Sequence, residues 1–129
     1  MKSDSFAAAL NCIDGRTQIP VINFIKERSG VRYVDMITEA GIIKHLASNT
    51  VDSVVEATRL SVEISVSGHK TTSVFLVAHQ DCLGNQVADT IQKQQLLQAK
   101  RNVESWHLPV EVKCLWLNSE WQVEEVIER

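Results

Sequence analysis

The 129-residue sequence contains no apolar run that approaches the roughly 20 residues needed to span a bilayer, which excludes a transmembrane protein. It also has no excess of basic charge, because 13 Lys and Arg stand against 16 Asp and Glu, a formal net charge of -3. This balance gives no electrostatic reason to expect binding to nucleic acid or to an anionic membrane surface. We therefore predict neither kind of partner.

A secretory signal is not recognisable either. The polar start at residues 1–6 runs into a short apolar stretch at residues 7–10, without a long apolar segment or a small-residue cleavage site. The sequence has only 3 cysteines, an odd number, so a disulfide framework is not expected. We expect a cytoplasmic protein whose cysteines are buried or serve thiolate chemistry.

The composition is that of an ordinary globular protein, with 44% hydrophobic and 22% charged residues. A chain of this length can bury about two-thirds of the surface that it exposes when unfolded. We find no internal repeat, low-complexity stretch or linker. We therefore expect residues 1–129 to form one domain.

Segments with strand character alternate with segments of helical periodicity. The predicted strands cover residues 6–12, 31–37, 73–78 and 110–117, with a hairpin strand at 121–127. The predicted helices cover residues 20–28, 42–47, a segment from a cap at Asn49 or Thr50 to residues 68–70, and residues 84–106. This alternation predicts an α/β fold with a mostly parallel central sheet flanked by helices. We expect the strand order 2-1-3-4, followed by a C-terminal antiparallel hairpin strand.

Reactive side chains follow two of the predicted strands. Cys12, Asp14 and Arg16 come at the end of the first strand, and His79 and Cys82 come at the end of the third. Ligands of open α/β sheets collect beyond the carboxyl ends of the strands. If strands one and three are neighbours, the two cysteines and the histidine can converge on one metal ion. Two thiolates and one imidazole suit zinc and leave a fourth position for water, as in a catalytic site.

The charge of this donor set favours a second group near the metal. Two thiolates offset the formal charge of zinc, so a coordinated water is acidified less than at an all-histidine site. A nearby acceptor that orients the water therefore helps, and Asp14 lies close to Cys12 in the chain. Arg16 can keep Asp14 ionised through a charge-assisted, bidentate contact. The residues thus indicate a zinc-activated water beside an Asp-Arg pair.

Structural roles are the alternatives for these residues. Cys12 on its own suits core packing, and Asp14 with Arg16 suits a turn and a surface ion pair. Asp81 is expected to cap the following helix, and Cys114 to be a buried core thiol. Three histidines are predicted to cap helices or face solvent: His45, His69 and His107. The tryptophans are predicted to pack at the end of the sheet or at an interface: Trp106, Trp116 and Trp121.

Two motifs together resemble the paired signature of the beta-class carbonic anhydrases. They are Cys-Ile-Asp-Gly-Arg at residues 12–16 and Ala-His-Gln-Asp-Cys at residues 78–82. Residues 34–41 fall where that family carries a strand-to-loop segment ending in Asn-Ala-Gly, and residues 110–127 resemble its closing strands. The resemblance implies that the zinc ligands are Cys12, His79 and Cys82. It also implies that Asp14 and Arg16 form the family's catalytic Asp-Arg dyad.

The implied reaction is attack of zinc-bound hydroxide on carbon dioxide to give bicarbonate. Carbonyl sulfide and carbon disulfide are related small substrates on this scaffold, and in some members the dyad Asp ligates zinc and closes the site. A homodimer or higher homo-oligomer is also implied. Two other functions stay open: a catalytically silent zinc protein with a structural or regulatory role, and a metal-free cysteine-dependent redox or transfer enzyme.

The sequence departs from the family pattern at several positions. Gly15 stands where Ser is common, and Leu83 separates Cys82 from Gly84 where glycine usually follows the cysteine directly. Residues 38–39 are Thr-Glu in place of the usual Arg-Asn. The chain is also shorter than usual, and we expect it to lack the N-terminal helical arm of the family.

Overall fold

A five-stranded mixed sheet runs through the part of the chain that this computed structural model describes, residues 5–128. The strands are β1 Phe6–Asn11, β2 Tyr33–Thr38, β3 Ser73–His79, β4 Glu111–Leu117 and β5 Val123–Val126. The strand order is β2-β1-β3-β4-β5, in which neighbouring strands are parallel except for the antiparallel pair β4 and β5. The helices are α1 Gly15–Ser29, α2 Ile42–Leu46, α3 Ser53–His69 and α4 Asp89–Glu104. This topology confirms the predicted α/β class, strand order and terminal hairpin.

Helices cover both faces of the sheet because the central strands are apolar on both sides. On one face, Val21 and Ile25 of α1 pack against Phe75 of β3. On the other face, α2, α3 and α4 share a larger core that includes Val62 and Leu96. Fully buried strands of this kind are typical of parallel sheets between helical layers.

Helix α1 begins at Gly15, earlier than the start near Pro20 that the sequence predicts. The carboxylate of Asp14 accepts a hydrogen bond from the Arg16 backbone N–H at 2.9 Å and so caps the helix at that point. Pro20 therefore lies inside the helix, where it lacks the amide hydrogen that other interior residues donate. The predicted end is confirmed, because Gly30 adopts the left-handed conformation that terminates α1.

Helix α3 also begins at a different cap from the one predicted. Asp52, not Asn49 or Thr50, is the N-cap, and its side chain accepts a hydrogen bond from the Val55 N–H at 2.9 Å. An aspartate accepts this bond well, and its negative charge suits the positive end of the helix dipole. The predicted end near residues 68–70 is confirmed, with Lys70 as the C-cap.

Helix α4 starts later than predicted, at Asp89 rather than Gly84. Its N-cap is Ala88, so the predicted capping role of Asp81 is wrong. The segment before α4 is not helical, and in it the backbone of Gly84 packs directly against that of Gly41. None of the helices in residues 5–128 combines the length and the hydrophobicity needed to cross a bilayer.

Candidate metal centre

The carboxyl ends of β1 and β3 lie side by side, because these strands pair in parallel with Leu10 opposite Leu76. Cys12 follows β1, His79 is the last residue of β3, and Cys82 lies in the next loop. Their sulfur and nitrogen donor atoms all lie within 4.8 Å of one another. The predicted convergence of these three residues is therefore confirmed.

All three side chains are almost fully enclosed. The exposed fraction is 5% for Cys12, 1% for His79 and 6% for Cys82. Next to them lies a cavity of only about 10 Å³, whose walls include the apolar residues Ile42 and Val77. A cavity of that size holds about one water molecule. The donor atoms are therefore largely shielded from solvent.

The imidazole of His79 is oriented for ligation. Its Nδ1 donates a hydrogen bond to the Gln80 carbonyl at 2.7 Å, and this bond leaves the lone pair on Nε2. Nε2 is buried and has no hydrogen-bond partner among the described residues. The backbone of His79 is fixed as well, because the buried Gln92 side chain donates to its carbonyl at 2.9 Å. A buried nitrogen without a partner is costly in a folded protein, and a metal ion would satisfy it.

The two sulfurs lie 3.9 Å apart and are strongly coupled. A hydrogen bond from Cys82, followed by interactions with His79 and with the Gly41 and Asp14 amides, holds the pKa of Cys12 far below its ordinary value. The same hydrogen bond and burial raise the pKa of Cys82. Burial opposes protonation of His79, but the interactions with Cys12, the hydrogen bond to the Gln80 carbonyl and the charge of Asp14 together raise the pKa of the imidazole.

Backbone amides also favour the ionised form of both cysteines. The N–H groups of Gly41 and Asp14 face the Cys12 sulfur, and those of Gly84 and Asn85 face the Cys82 sulfur. Amide donors of this kind support metal-bound thiolates and hold their geometry. The donor types, their spacing and these amides together fit a zinc ion.

Asp14 and Arg16 form a bidentate ion pair next to this cluster. Arg16 Nη2 donates to Asp14 Oδ2 at 2.7 Å, and Arg16 Nε donates to Asp14 Oδ1 at 3.1 Å. The Arg16 hydrogen bonds hold the pKa of Asp14 at about 2, well below its ordinary value. Among the described residues, the donor group within 4.8 Å contains the two cysteines and the histidine but not Asp14. In this structure the carboxylate is thus paired with Arg16 and does not join the cluster.

The loop that carries Cys12 and Asp14 is tied to α1 by a polar network. Gln18 Nε2 donates to the carbonyls of Cys12 and Asp14 at 2.8 and 3.0 Å. The buried Asn11 side chain donates to Thr17 Oγ1 at 3.0 Å. These bonds fix the backbone between the first cysteine and the dyad.

Two contacts of Arg16 involve residues that the sequence did not place at the site. Arg16 Nη1 lies 3.4 Å from Asp81 Oδ2, so Asp81 contributes an ion pair here instead of a helix cap. The Arg16 guanidinium carbon lies 4.2 Å from the centroid of the Trp121 ring. The sequence predicted packing at the sheet end or at an interface for Trp121, and no motif connects it with residues 12–16.

A glycine crossing and a buried glutamine are further parts of the site. A Cβ atom on Gly41 would overlap the Gly84 carbonyl, so the loops after β2 and β3 can approach this closely only because both positions are glycine.

Gln92 lies on the same buried face of α4 as Leu96, Ala99 and Val103. A polar residue in an otherwise apolar helical stripe is the sequence signal that could have identified it.

The remaining cysteine and histidines lie away from the cluster. Cys114 is buried in β4, as predicted, and burial raises its pKa to about 12. His45 contacts Asp52 and His69 contacts Asp35, each through Nδ1 at 2.8 and 2.7 Å respectively. The predicted capping or surface roles of these two histidines fit these contacts.

Comparisons with known proteins agree with this picture. A family model described as "Putative carbonic anhydrase" matches residues 2–127. A search of the curated proteins found no match. The fold is similar to that of the apo form of a carbon disulfide hydrolase, with a TM-score of 0.61 and 11% identity over 92% of this chain and 76% of that chain.

Two carbonic anhydrase structures are similar as well. One, from Glaciozyma antarctica, has a TM-score of 0.59 and 13% identity over 93% of this chain and 81% of that chain. The other is a tetrameric beta-carbonic anhydrase from Sordaria macrospora, with a TM-score of 0.52 and 13% identity over 95% of this chain and 81% of that chain. At such identities these structures support the fold alone, whereas the family model covers nearly the whole chain. The chain therefore belongs to the carbonic anhydrase family that this model describes, as its motifs predicted.

Proposed function

We propose that the chain is a zinc-dependent lyase that hydrates carbon dioxide to bicarbonate. The observation that carries this proposal is the buried Cys12, His79 and Cys82 cluster, with donor atoms within 4.8 Å of one another, beside the bidentate Asp14-Arg16 pair. Soft thiolates and an imidazole are the ligand types of zinc. Family membership supports the same reaction class.

Cys12, His79 and Cys82 are the residues that would hold the ion. The unpartnered Nε2 of His79 and the two amide-supported sulfurs supply the three donors. A zinc ion bound there supplies a Lewis acid that lowers the pKa of a coordinated water.

Asp14 and Arg16 would orient the attacking water. Because the guanidinium keeps Asp14 ionised at neutral pH, its carboxylate accepts hydrogen bonds and does not donate them. A water that donates its hydrogen to Asp14 keeps a lone pair free for attack on an electrophilic carbon. Arg16 acts through its two short bonds, which fix the plane of the carboxylate.

The enclosure of the donor atoms supports a very small substrate. Carbon dioxide is our first candidate, because the chain belongs to a carbonic anhydrase family and the residues that line the small cavity beside the cluster include the apolar Ile42, Val77 and Ala78. Carbon disulfide and carbonyl sulfide are linear molecules of the same class, and a carbon disulfide hydrolase shares the fold. Turnover of all three should be compared on the same preparation.

A catalytically silent zinc protein is the second candidate, favoured by the same enclosure. A cluster whose three side chains are at most 6% exposed suits a structural or regulatory metal site as well as a catalytic one. The two candidates agree on zinc binding and differ only in turnover.

Metal analysis and stopped-flow hydration together test the proposal. We expect one zinc ion per chain and carbon dioxide hydration that increases from mildly acidic to alkaline pH. Cys82→Ser should lose zinc, whereas Cys114→Ala, which removes the cysteine outside the cluster, should keep it. Zinc binding without turnover at any pH would favour the silent protein, and absence of zinc would contradict both candidates.

The dyad is tested with two helix-capping aspartates as a matched pair. Asp14 and Asp52 each cap a helix, but only Asp14 lies beside the cluster. Asp14→Asn should keep zinc and lose most turnover, whereas Asp52→Asn should keep both. Equal turnover in the two variants would contradict the assigned role of Asp14.

Assembly, domain organisation and compartment complete the proposal. We propose a homodimer or higher homo-oligomer, because Ile13 and Leu83, next to two of the cluster residues, are 63% and 83% exposed. Light scattering after gel filtration measures the assembly.

The free cysteines of the described chain suit a reducing, cytoplasmic environment, which cell fractionation would test. Limited proteolysis tests the expectation that residues 1–129 form one domain.

A further inference from the structure

Trp121 lies over the guanidinium of Arg16, although it comes from the opposite end of the chain. The Arg16 guanidinium carbon is 4.2 Å from the Trp121 ring centroid, a typical cation-π distance. The same indole lies 6.0 Å from the centroid of the His79 ring. Trp121 therefore lies close to both the dyad and a residue of the cluster.

The backbone of Trp121 adopts a conformation that tryptophan rarely takes. Its φ is 59°, in the left-handed region that is unfavourable for bulky residues. The turn between β4 and β5 imposes this conformation, because Trp121 N donates to the Asn118 carbonyl at 3.0 Å and Asn118 N donates to the Gln122 carbonyl at 3.1 Å. Strained residues of this kind collect at functional sites, where the position of the side chain offsets the strain.

Arg16 has two acidic neighbours between which it must be positioned. Its bonds to Asp14 are short, at 2.7 and 3.1 Å, whereas its contact with Asp81 is 3.4 Å. About 47% of the Arg16 side chain is exposed, so burial alone does not fix the guanidinium. The guanidinium carbon lies over the indole ring, and this contact favours the position in which the guanidinium meets Asp14.

We propose that Trp121 is a positioning residue that holds the Arg16 guanidinium in its bidentate contact with Asp14. It acts through Arg16 and touches no reacting atom. Its consequence for turnover rests on the proposed function, but its effect on the ion pair does not. Removal of the ring is expected to lower the equilibrium constant for forming the bidentate pair by roughly 2- to 5-fold, as for a cation-π contact that is partly exposed.

Proton-nitrogen NMR of the arginine side chains tests this directly on the full chain. The Arg16 Nε–H signal, identified by its loss in Arg16→Lys, should be shifted upfield by the indole and protected from solvent exchange by Asp14. Trp121→Leu should move this signal downfield and speed its exchange by roughly 2- to 5-fold. Trp121→Phe, which keeps an aromatic face, should retain most of the protection.

The chain provides a matched control in Trp106, whose ring lies 5.7 Å from the guanidinium carbon of Arg59. Trp106→Leu should leave the Arg16 signal unchanged. Trp121→Gly separates strain from positioning, because glycine relieves the left-handed backbone but removes the ring. We expect Trp121→Gly to lose the protection of the Arg16 signal even if it is as stable as the wild type.

Kinetic and metal measurements distinguish this inference from the proposed function. We expect Trp121→Leu to keep zinc while kcat falls by no more than the roughly 2- to 5-fold change in the equilibrium constant of the ion pair. A wild type without zinc or turnover would contradict the proposed function, and the NMR comparison would still decide the role of Trp121. An Arg16 signal with the same shift and exchange rate in Trp121→Leu as in the wild type would overturn the inference.

Discussion

The contact between Gly41 and Gly84 gives a sharp prediction about how the site is held together. Gly41 has φ +59, and a Cβ on it would lie 2.6 Å from the carbonyl carbon of Gly84 and overlap the attached oxygen. Gly30 has φ +70, but a Cβ there would meet nothing within 4 Å. The two glycines therefore share a left-handed backbone and differ in the space around them. Gly41→Ala and Gly30→Ala isolate the cost of the crossing.

The expected cost follows from two contributions. An alanine in the left-handed region costs roughly 1–2 kcal/mol, and this applies to both variants. Overpacking a tight contact costs a further 1–3 kcal/mol or so, and this applies to Gly41→Ala alone because the obstructing atoms are backbone. We expect a loss of about 2–5 kcal/mol for Gly41→Ala against about 1–2 kcal/mol for Gly30→Ala.

Urea unfolding of the two variants at the same zinc concentration measures this difference. Gly41→Ala should also bind zinc more weakly than the wild type, because the Gly41 amide faces the Cys12 sulfur and Gly84 lies next but one after Cys82. Gly30→Ala should bind zinc like the wild type. Equal losses of stability in the two variants would refute the idea that the contact between Gly41 and Gly84 leaves no room for a side chain.

Three further predictions follow. A chelator should lower the unfolding temperature of the wild type and of Cys114→Ala but not that of Cys82→Ser, because only a protein that binds zinc is stabilised by it; an equal response in all three would contradict the ligand assignment. Gln92→Leu should lose about 1–3 kcal/mol in urea unfolding, because it leaves the buried carbonyl at the end of β3 without its donor, whereas Gln94→Leu on the exposed face should be nearly neutral. The hydrogen bond from the neighbouring His45 imidazole lowers the pKa of Asp52 below its ordinary value of 3.8. The wild type should therefore be more stable than Asp52→Asn above pH 3.8, and this difference in stability should disappear as the pH falls through the lowered pKa. A difference in stability that persists in strong acid would be inconsistent with this cause.

The sequence predicted the fold and the cluster because both depend on local signals. Apolar runs alternate with helical stripes, and this pattern favours a parallel sheet whose strand ends meet at one edge. Cys12 and His79 stand at those ends in the chain itself, so their convergence required only that β1 and β3 be neighbours. The Asp14-Arg16 pair was accessible for the same reason, since both residues belong to one turn.

The starts of the helices and the residues that support the site were harder to predict from the sequence. Several polar residues precede each helix, and which of them caps it depends on which side chain reaches a free backbone amide. The sequence alone therefore did not identify Asp52, rather than Thr50, as the N-cap of α3. Gly84, where the sequence predicted the start of α4, instead packs against Gly41, a residue far away in the chain. A glycine alone does not reveal which backbone will approach it.

Trp121 shows how the antiparallel strand completes the site. In a parallel sheet each strand presents its carboxyl end at the edge where the ligands meet, so Cys12 and His79 arrive there directly. Strand β5 runs the other way, with Leu117 at the end of β4 paired to Val123 at its beginning. The turn between them therefore lies at that same edge and places Trp121 against Arg16. The terminal hairpin thus closes the sheet and also carries the residue that we propose to hold the dyad, so substitution of Trp121 should lower turnover, but less than substitution of Cys12, Asp14 or Cys82 in the motifs.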